Sequence, residues 1–394
     1  MRNKIDIITL FTLIICVQAN AQSDLETVLS QISRNNKTLQ SNAQFWEAQK
    51  MQFKTGNTPV DPVIEYDYLS GSPADAGNQH EFKLVQKFDF PTVYVKKSQL
   101  AEQQTAQAEF ELTAARQNIL LDAKTICLEL VYRNKMHLQL EQQKNNNEKL
   151  LTDFQTRLDK GEGNILDVNK AKLQLIEIRR EFQENLSDKA QLNERLTALN
   201  GGNQITFTDT IYPAVSVISS FVQLQTDYEN ADPIKKSLEQ QKLISQKSLE
   251  LSKAMWLPKI EAGYRYQGIL GQTYNGIHTG ISIPLWENKN SVKLQNAKLL
   301  FQDLNLQDHQ TTIDTEIKQK FEKYTNLKIT LNDYQTAFES INSTRVLNKA
   351  LSLGEISTIE YFLEMNYYNT ALKNYLQTEK DYHRVIAELF KYQL

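Results

Sequence analysis

The sequence is poor in residues that interrupt helices and in those that build catalytic or metal sites. Its 394 residues include 8 prolines, 13 glycines and 2 cysteines. Cys127 is the only cysteine after residue 21, so that part of the chain has no internal disulfide, and a small core side chain is expected. The five histidines are scattered, and none lies at metal-ligand spacing from another histidine or a cysteine. They are His80, His137, His278, His309 and His383. With no glycine-rich phosphate loop either, the sequence predicts no enzyme, metal or cofactor.

Charge of one sign and long apolar runs are also scarce. The formal net charge is −3 and no basic block is present, which argues against a nucleic-acid partner. After the first residues, no apolar run reaches the roughly 18–20 residues that a transmembrane helix needs. Gln, Asn, Leu, Lys and Glu dominate, so the chain is expected to be mostly helical.

The first residues resemble a secretory signal peptide. Arg2 and Lys4 precede an apolar run over 5–17, and Ala19-Asn20-Ala21 fits an A-x-A cleavage site. We therefore predict a signal peptide over residues 1–21. The alternative is an N-terminal membrane anchor, for which the apolar run is short.

The chain contains the same unit twice. Pro91 and Pro284 lie 193 residues apart, and so do Gly161 and Gly354. In each half, two alternating segments are followed by a long helical stretch and then by a glycine turn. The repeat therefore sets the architecture. The predicted divisions are a first repeat over 22–203, a connecting or equatorial segment over 204–229, and a second repeat over 230–394.

The long stretches have a coiled-coil period. A 4-3 spacing that falls mainly on apolar residues runs from Ile119 to Leu158, resumes at Val168, and recurs from Ile313 to Ile341. A period of 3.5 residues sustained over this length predicts long coiled-coil helices. Glycine turns bend each into a helical hairpin, with the tips predicted at 161–164 and 354–357.

Each repeat also carries two segments that alternate apolar and polar residues. They predict β-hairpins over 60–91 and 258–285, joined by loops at 70–78 and 268–276. Their lengths and aromatic residues suit tilted transmembrane strands. Four strands cannot close a barrel in one chain, and lipid forbids an open sheet edge, so several copies would have to pool their strands. The alternative is a small water-soluble sheet packed on the helices.

These features together resemble the TolC family of outer-membrane efflux proteins, over about residues 24–390. The resemblance rests on the duplicated order of strands, long helix, turn and helix, and on four local sequences: Phe88-Asp89-Phe90-Pro91, Ile281-Ser282-Ile283-Pro284, the turn from Gly161 to Val168 and the turn from Gly354 to Tyr361. Within the family, the chain is most similar to the heavy-metal, CzcC-like branch.

The resemblance implies a mainly α fold with a small β part. It implies a homotrimer in the outer membrane of a Gram-negative bacterium, in contact with its lipid. Each subunit would give four transmembrane strands to a shared twelve-stranded β-barrel. The helical hairpins would form an α-barrel tunnel in the periplasm, which meets a periplasmic adaptor and an inner-membrane pump. The implied function is the passive exit duct of a tripartite efflux system.

The resemblance also implies roles for residues at the two tips. The adaptor-docking candidates are Gly161, Glu162, Gly163, Gly354 and Glu355. The candidates for the periplasmic aperture are Asp167, Leu351, Ile356, Glu360 and Glu364. The family pattern has an aromatic residue at 351, a basic one at 356 and an acid at 363, where this chain has Leu, Ile and Leu. Closure is therefore expected to rely on apolar packing, and repulsion between copies is expected to raise the pKa of some aperture carboxyls.

A second function from a different class stays open. A soluble periplasmic coiled-coil adaptor or scaffold would also contain long helical hairpins. An adaptor normally has one hairpin flanked by β-rich domains, whereas this chain has two hairpins, each preceded by its own strand pair. That order favours the duct.

Overall fold

The computed structural model of this chain describes residues 25–215, 218, 220–340 and 343–394. The predicted signal peptide lies outside the described residues, as do 216, 217 and 219 of the predicted connecting segment. The rest is mainly helical, with one small sheet.

The second half of the chain repeats the element order of the first, with two helices, α7 and α8, in the place of α3. The first half consists of α1 (Leu25–Asn35), α2 (Lys37–Lys54), β1 (Val63–Leu69), β2 (Gln79–Phe88), α3 (Pro91–Asp159) and α4 (Ile165–Leu199). The second half consists of α5 (Phe221–Ala231), α6 (Pro233–Ala254), β3 (Lys259–Ile269), β4 (Gln272–Ser282), α7 (Ser291–Ser340), α8 (Ser343–Leu353) and α9 (Thr358–Leu389). Single 3-10 turns cover Ala74–Ala76 and Lys391–Gln393.

Helix α3 is the longest element. It has 69 residues, which at 1.5 Å per residue is roughly 100 Å. Pro91 occupies its first turn, where a missing N–H costs nothing, and no other proline or glycine follows before its end. Most apolar positions of the predicted coiled-coil stripe are buried, among them Leu130 and Leu140 in α3 and Val168 in α4. The stripe packs α3 against α4 along the first hairpin.

The break between the first two helices of each repeat is made by a side-chain cap. Asn36 Oδ1 accepts a hydrogen bond from the Leu39 N–H at 2.9 Å and starts α2. Asp232 Oδ1 accepts one from the Ile234 N–H at 2.9 Å and starts α6. Short polar side chains in extended backbone satisfy the free N–H groups of a helix start. Equivalent positions in the two repeats thus have the same kind of N-cap.

The four strands form one antiparallel sheet in the order β1-β2-β3-β4. The central pair joins the two repeats, since β2 and β3 pair from Gln79 opposite Ile269 to Phe88 opposite Ile260. Within the described residues, β1 and β4 are the sheet edges. The edge strands therefore leave their outer N–H and C=O groups unpaired in a single chain.

The second hairpin is tighter than the sequence predicted. The loop expected over 268–276 is a two-residue turn at Leu270 and Gly271, and its predicted flanks belong to β3 and β4. Both turn residues have positive φ, 49° and 75°, as the turn that matches strand twist requires. Leucine is rare in this conformation, so the sequence did not mark the turn.

The largest apolar core among the described residues lies where α1 and α3 meet the C-terminal ends of α4 and α9. It contains Leu130, Leu196 and Cys127, all essentially without solvent exposure. The segment after α4 adds Ile205, Phe207 and Tyr212 to this core. Burial raises the pKa of the Cys127 thiol to about 12, in keeping with the small core residue predicted. No helix among the described residues is both long and apolar enough to cross a membrane.

Candidate functional site

The first predicted tip ends α3 with a hydrogen-bonded glycine turn. The Glu162 N–H donates to the Arg157 carbonyl at 2.9 Å, and the Gly161 N–H donates to the Leu158 carbonyl at 2.9 Å. Gly161 has φ of +77°. This is the Schellman arrangement, in which a left-handed residue lets the chain satisfy the last helix carbonyls.

The second tip repeats the same turn. The Glu355 N–H donates to the Ala350 carbonyl at 2.9 Å, and the Gly354 N–H donates to the Leu351 carbonyl at 3.1 Å. Gly354 has φ of +74°, and a Cβ on either tip glycine would meet no atom within 4 Å. All predicted docking residues are exposed: Gly161, Glu162, Gly163, Gly354 and Glu355. Both tips are thus ordered turns that present backbone and carboxylates to solvent.

A capped helix start follows each turn. Asn164 Oδ1 accepts from the Leu166 N–H at 2.9 Å to start α4. Ser357 starts α9 with a capping box, in which its Oγ accepts from the Glu360 N–H and Glu360 accepts from the Ser357 N–H. Because both ends of each turn are hydrogen-bonded, the tips have a fixed shape.

The two tips pack against each other through an apolar cluster. Phe154, Val168 and Ala171 form its buried part, and Leu351 packs against them from the second hairpin. The Tyr361 hydroxyl donates to Asn348 Oδ1 at 2.8 Å nearby. The structure therefore places Leu351, a predicted aperture residue, between the hairpins of one subunit.

The predicted aperture acids differ in their surroundings. Glu360 and Glu364 are exposed, Asp167 is half-buried, and no basic side chain of the described residues lies within 4 Å of their carboxylates. Ile356 is half-buried near them in sequence. Hydrogen bonds from the Ser357 backbone N–H and with its side chain lower the pKa of Glu360. Within one subunit this effect has the opposite sign to the expected repulsion between copies.

One face of the sheet is apolar and aromatic. The cross-strand register brings Ile64 beside Leu84, Leu84 beside Tyr264 and Tyr264 beside Ile277. The same face carries Tyr66, Tyr68, Phe82, Phe88, Ile260, Tyr266 and Ile281. Ile277 is 87% exposed and Ile281 is 73% exposed. The alternative of a sheet packed on the helices is wrong for this face, because no part of the chain that the structure describes covers it.

The opposite face of the sheet is charged. Alternation places Glu65 and Asp67 on β1, Glu81 and Lys83 on β2, and Arg265 on β3 on this side. The sequence alone predicted no role for these residues. The charged residues occur at every second position of the strands, which indicates a shared face. Which of them contact one another depends on the strand register, which the sequence did not predict.

Solved structures with the same architecture come from bacterial membranes. A membrane protein from Pseudomonas aeruginosa aligns with a TM-score of 0.78 at 15% identity, over 94% of this chain and 90% of that one. The CmeC outer membrane channel of Campylobacter jejuni aligns at 0.73 and 15%, over 93% and 85%. The outer membrane protein VceC of Vibrio cholerae aligns at 0.69 and 15%, over 94% and 94%.

This chain has the fold of those three membrane proteins. The mainly helical fold with a small four-stranded sheet, predicted from the sequence, is thereby confirmed. No protein-family model matches the sequence, and no curated protein sequence matches it significantly.

Proposed function

We propose that this protein is the passive exit duct of a tripartite efflux system in the outer membrane of a Gram-negative bacterium. The observation that carries the proposal is the four-stranded sheet, which has one exposed apolar face, one charged face and two open edges. An apolar outside and a polar inside are the two surfaces of a membrane β-barrel wall.

The open edges require more than one copy. Unpaired N–H and C=O groups on β1 and β4 each cost several kcal/mol, of order 2 or more, in a lipid environment. Pairing β4 of one subunit with β1 of the next removes every edge once the ring closes. The family resemblance sets the number at three subunits, which gives a twelve-stranded barrel.

The helical hairpins fit a periplasmic tunnel with docking tips at its end. The turns at Gly161 and Gly354 are exposed and lie side by side through the cluster around Phe154. We propose that they dock a periplasmic adaptor, which connects the duct to an inner-membrane pump. Asp167, Glu360 and Glu364 would lie at the aperture beside them.

The proposed duct moves solutes without chemistry of its own. Its substrate would be chosen mainly by the pump, and assignment to the CzcC-like branch stays a prediction of the sequence. CmeC and VceC, which share the fold, are described as outer-membrane proteins or channels. That likeness supports a channel rather than an enzyme.

Fractionation and conductance measurements test the proposal together. The duct account expects the mature protein in the outer-membrane fraction and discrete ion-conducting steps when purified protein is added to a planar bilayer. A soluble periplasmic adaptor or scaffold would be recovered in the osmotic-shock fluid and would give no conductance. That second result would overturn the duct.

A further inference from the structure

The charged face of the sheet is organised around one buried carboxylate. Glu81 is only 6% exposed, although it lies on a strand. Arg265 contacts both of its oxygens. An Nη donates a hydrogen bond to Oε2 at 2.8 Å, and Nε forms an ion pair with Oε1 at 2.7 Å. Charge-assisted contacts of this kind are stronger than neutral hydrogen bonds.

Lys83 completes the same network from β2. Its Nζ lies 2.9 Å from Glu81 Oε1, 3.8 Å from Glu65 Oε2 and 3.9 Å from Asp67 Oδ2. Its contact with Glu81 is the short one. Glu65 and Asp67 are held more loosely, and their side chains are about half exposed.

The network therefore has an excess of negative charge on its open side. Three carboxylates share two cations, so each subunit carries one uncompensated negative charge at this level. Both cations are close to Glu81, which leaves Glu65 and Asp67 as the acids that solvent reaches.

A neighbouring subunit would not supply the missing cation. Glu65 and Asp67 lie on the edge strand β1, which in the proposed ring pairs with β4 of the next copy. None of the β4 positions on the charged face holds lysine or arginine: Gln272, Tyr274, Gly276, His278, Gly280 and Ser282. His278 already contacts Glu261 of its own subunit, with Nε2 3.1 Å from Oε1.

We infer that this network is a cation-selecting level inside the barrel, separate from the periplasmic aperture. The inference rests on the proposed function. Lipid does not accept this face, so it lines the lumen, and the ring repeats Glu65 and Asp67 three times around one water-filled cross-section. Rings of like charge in a narrow pore favour ions of the opposite sign and repel those of the same sign.

Confinement in the lumen strengthens the effect of this charge on passing ions. Salt screens charges over about 8 Å at physiological ionic strength, a distance comparable with the radius of a small barrel. Low-dielectric walls concentrate the field further. Solutes that leave the tunnel would thus pass a negative potential within the membrane, so cationic cargo would be favoured over anionic cargo.

Reversal potentials across planar bilayers under a KCl gradient test the inference with paired variants. The double variant Glu65→Gln/Asp67→Asn should shift the reversal potential away from cation preference, because it changes the net charge of this level from −1 to +1 per subunit. Lys83→Gln should shift it the other way, toward stronger cation preference. The swap Glu65→Asp/Asp67→Glu keeps the charge and serves as the matched control, with the wild-type value expected.

The expected shifts of the reversal potential have opposite signs in the two neutralising variants, and this separates a role in ion selectivity from a role in structural support. If the network only clamps the strands, both neutralising variants should change in the same direction or lose channels together, and the inference is overturned. It is also overturned if all variants conduct with the wild-type preference, while the duct itself stands. If the wild-type protein forms no channel, the proposed function fails first.

Discussion

Glu360 and Ser357 hold each other at the start of α9. Glu360 Oε2 accepts a hydrogen bond from the Ser357 N–H at 2.8 Å, and Ser357 Oγ accepts one from the Glu360 N–H at 3.2 Å. The carboxylate is therefore fixed against the second tip, and Glu364 follows it one helical turn later. Their charge and their structural role can be separated by mutation.

The aperture charge is tested by Glu360→Gln/Glu364→Gln. Glutamine also accepts the backbone hydrogen bond of a capping box, so the turn should keep its shape. We expect a lower cation preference in bilayer recordings and little change in trimer stability. The control Ser357→Ala removes the cap at a cost of about 1 kcal/mol and leaves the charge in place. Unchanged selectivity in the double variant would mean that both carboxylates face outward from a solvated helix surface.

The docking role of the tips is tested by Gly161→Val and Gly354→Val. Valine at positive φ strains the backbone by roughly 1–3 kcal/mol and should distort the turn. Neither site has an atom within 4 Å of the new Cβ, so the strain of positive φ is the main expected effect. We expect loss of export in cells, with normal expression and normal trimer formation.

Gly202 provides the matched control for these variants. It has φ of +88° and open space around its Cβ position, but it lies beyond the opposite end of α4. Gly202→Val should introduce the same strain and retain export. Export that survives both tip variants, or fails equally in Gly202→Val, would show that the tips are not specific docking elements.

Acid stability is tested at His383 in α9. Its ring stacks on Tyr212, with the centroids 4.2 Å apart and the planes at 8°. Burial, aided by the charge of Lys135, lowers the pKa of His383 to about 4. Its usual value is about 6.5, so between these pH values the unfolded chain binds a proton that the folded chain does not. Folding stability should therefore fall on acidification, by up to about 3 kcal/mol from this group.

The variant His383→Phe keeps an aromatic ring on Tyr212 and removes the titration. We expect its thermal unfolding midpoint to fall less between pH 7 and pH 4.5 than that of the wild type. Equal losses in both proteins would contradict a buried neutral histidine at this position.

Asn134 in α3 binds the segment after α4, around residues 205–212, through hydrogen bonds to its backbone. Its Nδ2 donates to the Asp209 carbonyl at 2.9 Å and reaches the Phe207 carbonyl at 3.5 Å. Asn134→Ala should cost roughly 1–3 kcal/mol and speed amide exchange over residues 205–212, because buried carbonyls lose their donor. The control Asn147→Ala removes only a bond to the Gln143 carbonyl in the same helix and should leave that segment protected. Equal exchange in both variants would contradict the role of Asn134.

Much of this fold can be predicted from local sequence patterns. The glycine turns at 161 and 354 occur where the repeat predicted them, because a left-handed residue after a long helix has few alternatives to glycine. The coiled-coil stripe likewise predicted the packing of Phe154 and Val168. These features depend on neighbours in sequence and on one dominant period.

Two of the features that the sequence did not predict depend on distant partners, and one is a local turn. The network at Glu81 needs Arg265, 184 residues away, and its composition follows from the β2–β3 register. The turn at Leu270 was missed because the glycines around it suggested a longer loop, although they lie within strands. The family resemblance assigned Leu351 to the aperture, and the buried residues it packs against, Phe154, Val168 and Ala171, lie on the other hairpin.

The central claim is that three copies close one barrel by pairing β4 with the next β1. Cysteine pairs at these edges test it, since Cys127 is buried and is the only cysteine after residue 21. Within one chain, β2 and β3 separate the edges by about 14 Å, which is too far for a disulfide. Between paired strands, facing Cβ atoms lie about 5 Å apart.

The measurement combines Ile64→Cys in β1 with one cysteine at a time on the same face of β4, at Asn275, Ile277, Thr279 or Ile281. After oxidation in isolated outer membranes, non-reducing electrophoresis should show a ladder of one, two and three subunits for at least one pair, and nothing larger. Single-cysteine controls should stop at two subunits or below. No crosslinks from any pair, or a ladder that continues beyond three, would contradict the closed trimeric duct.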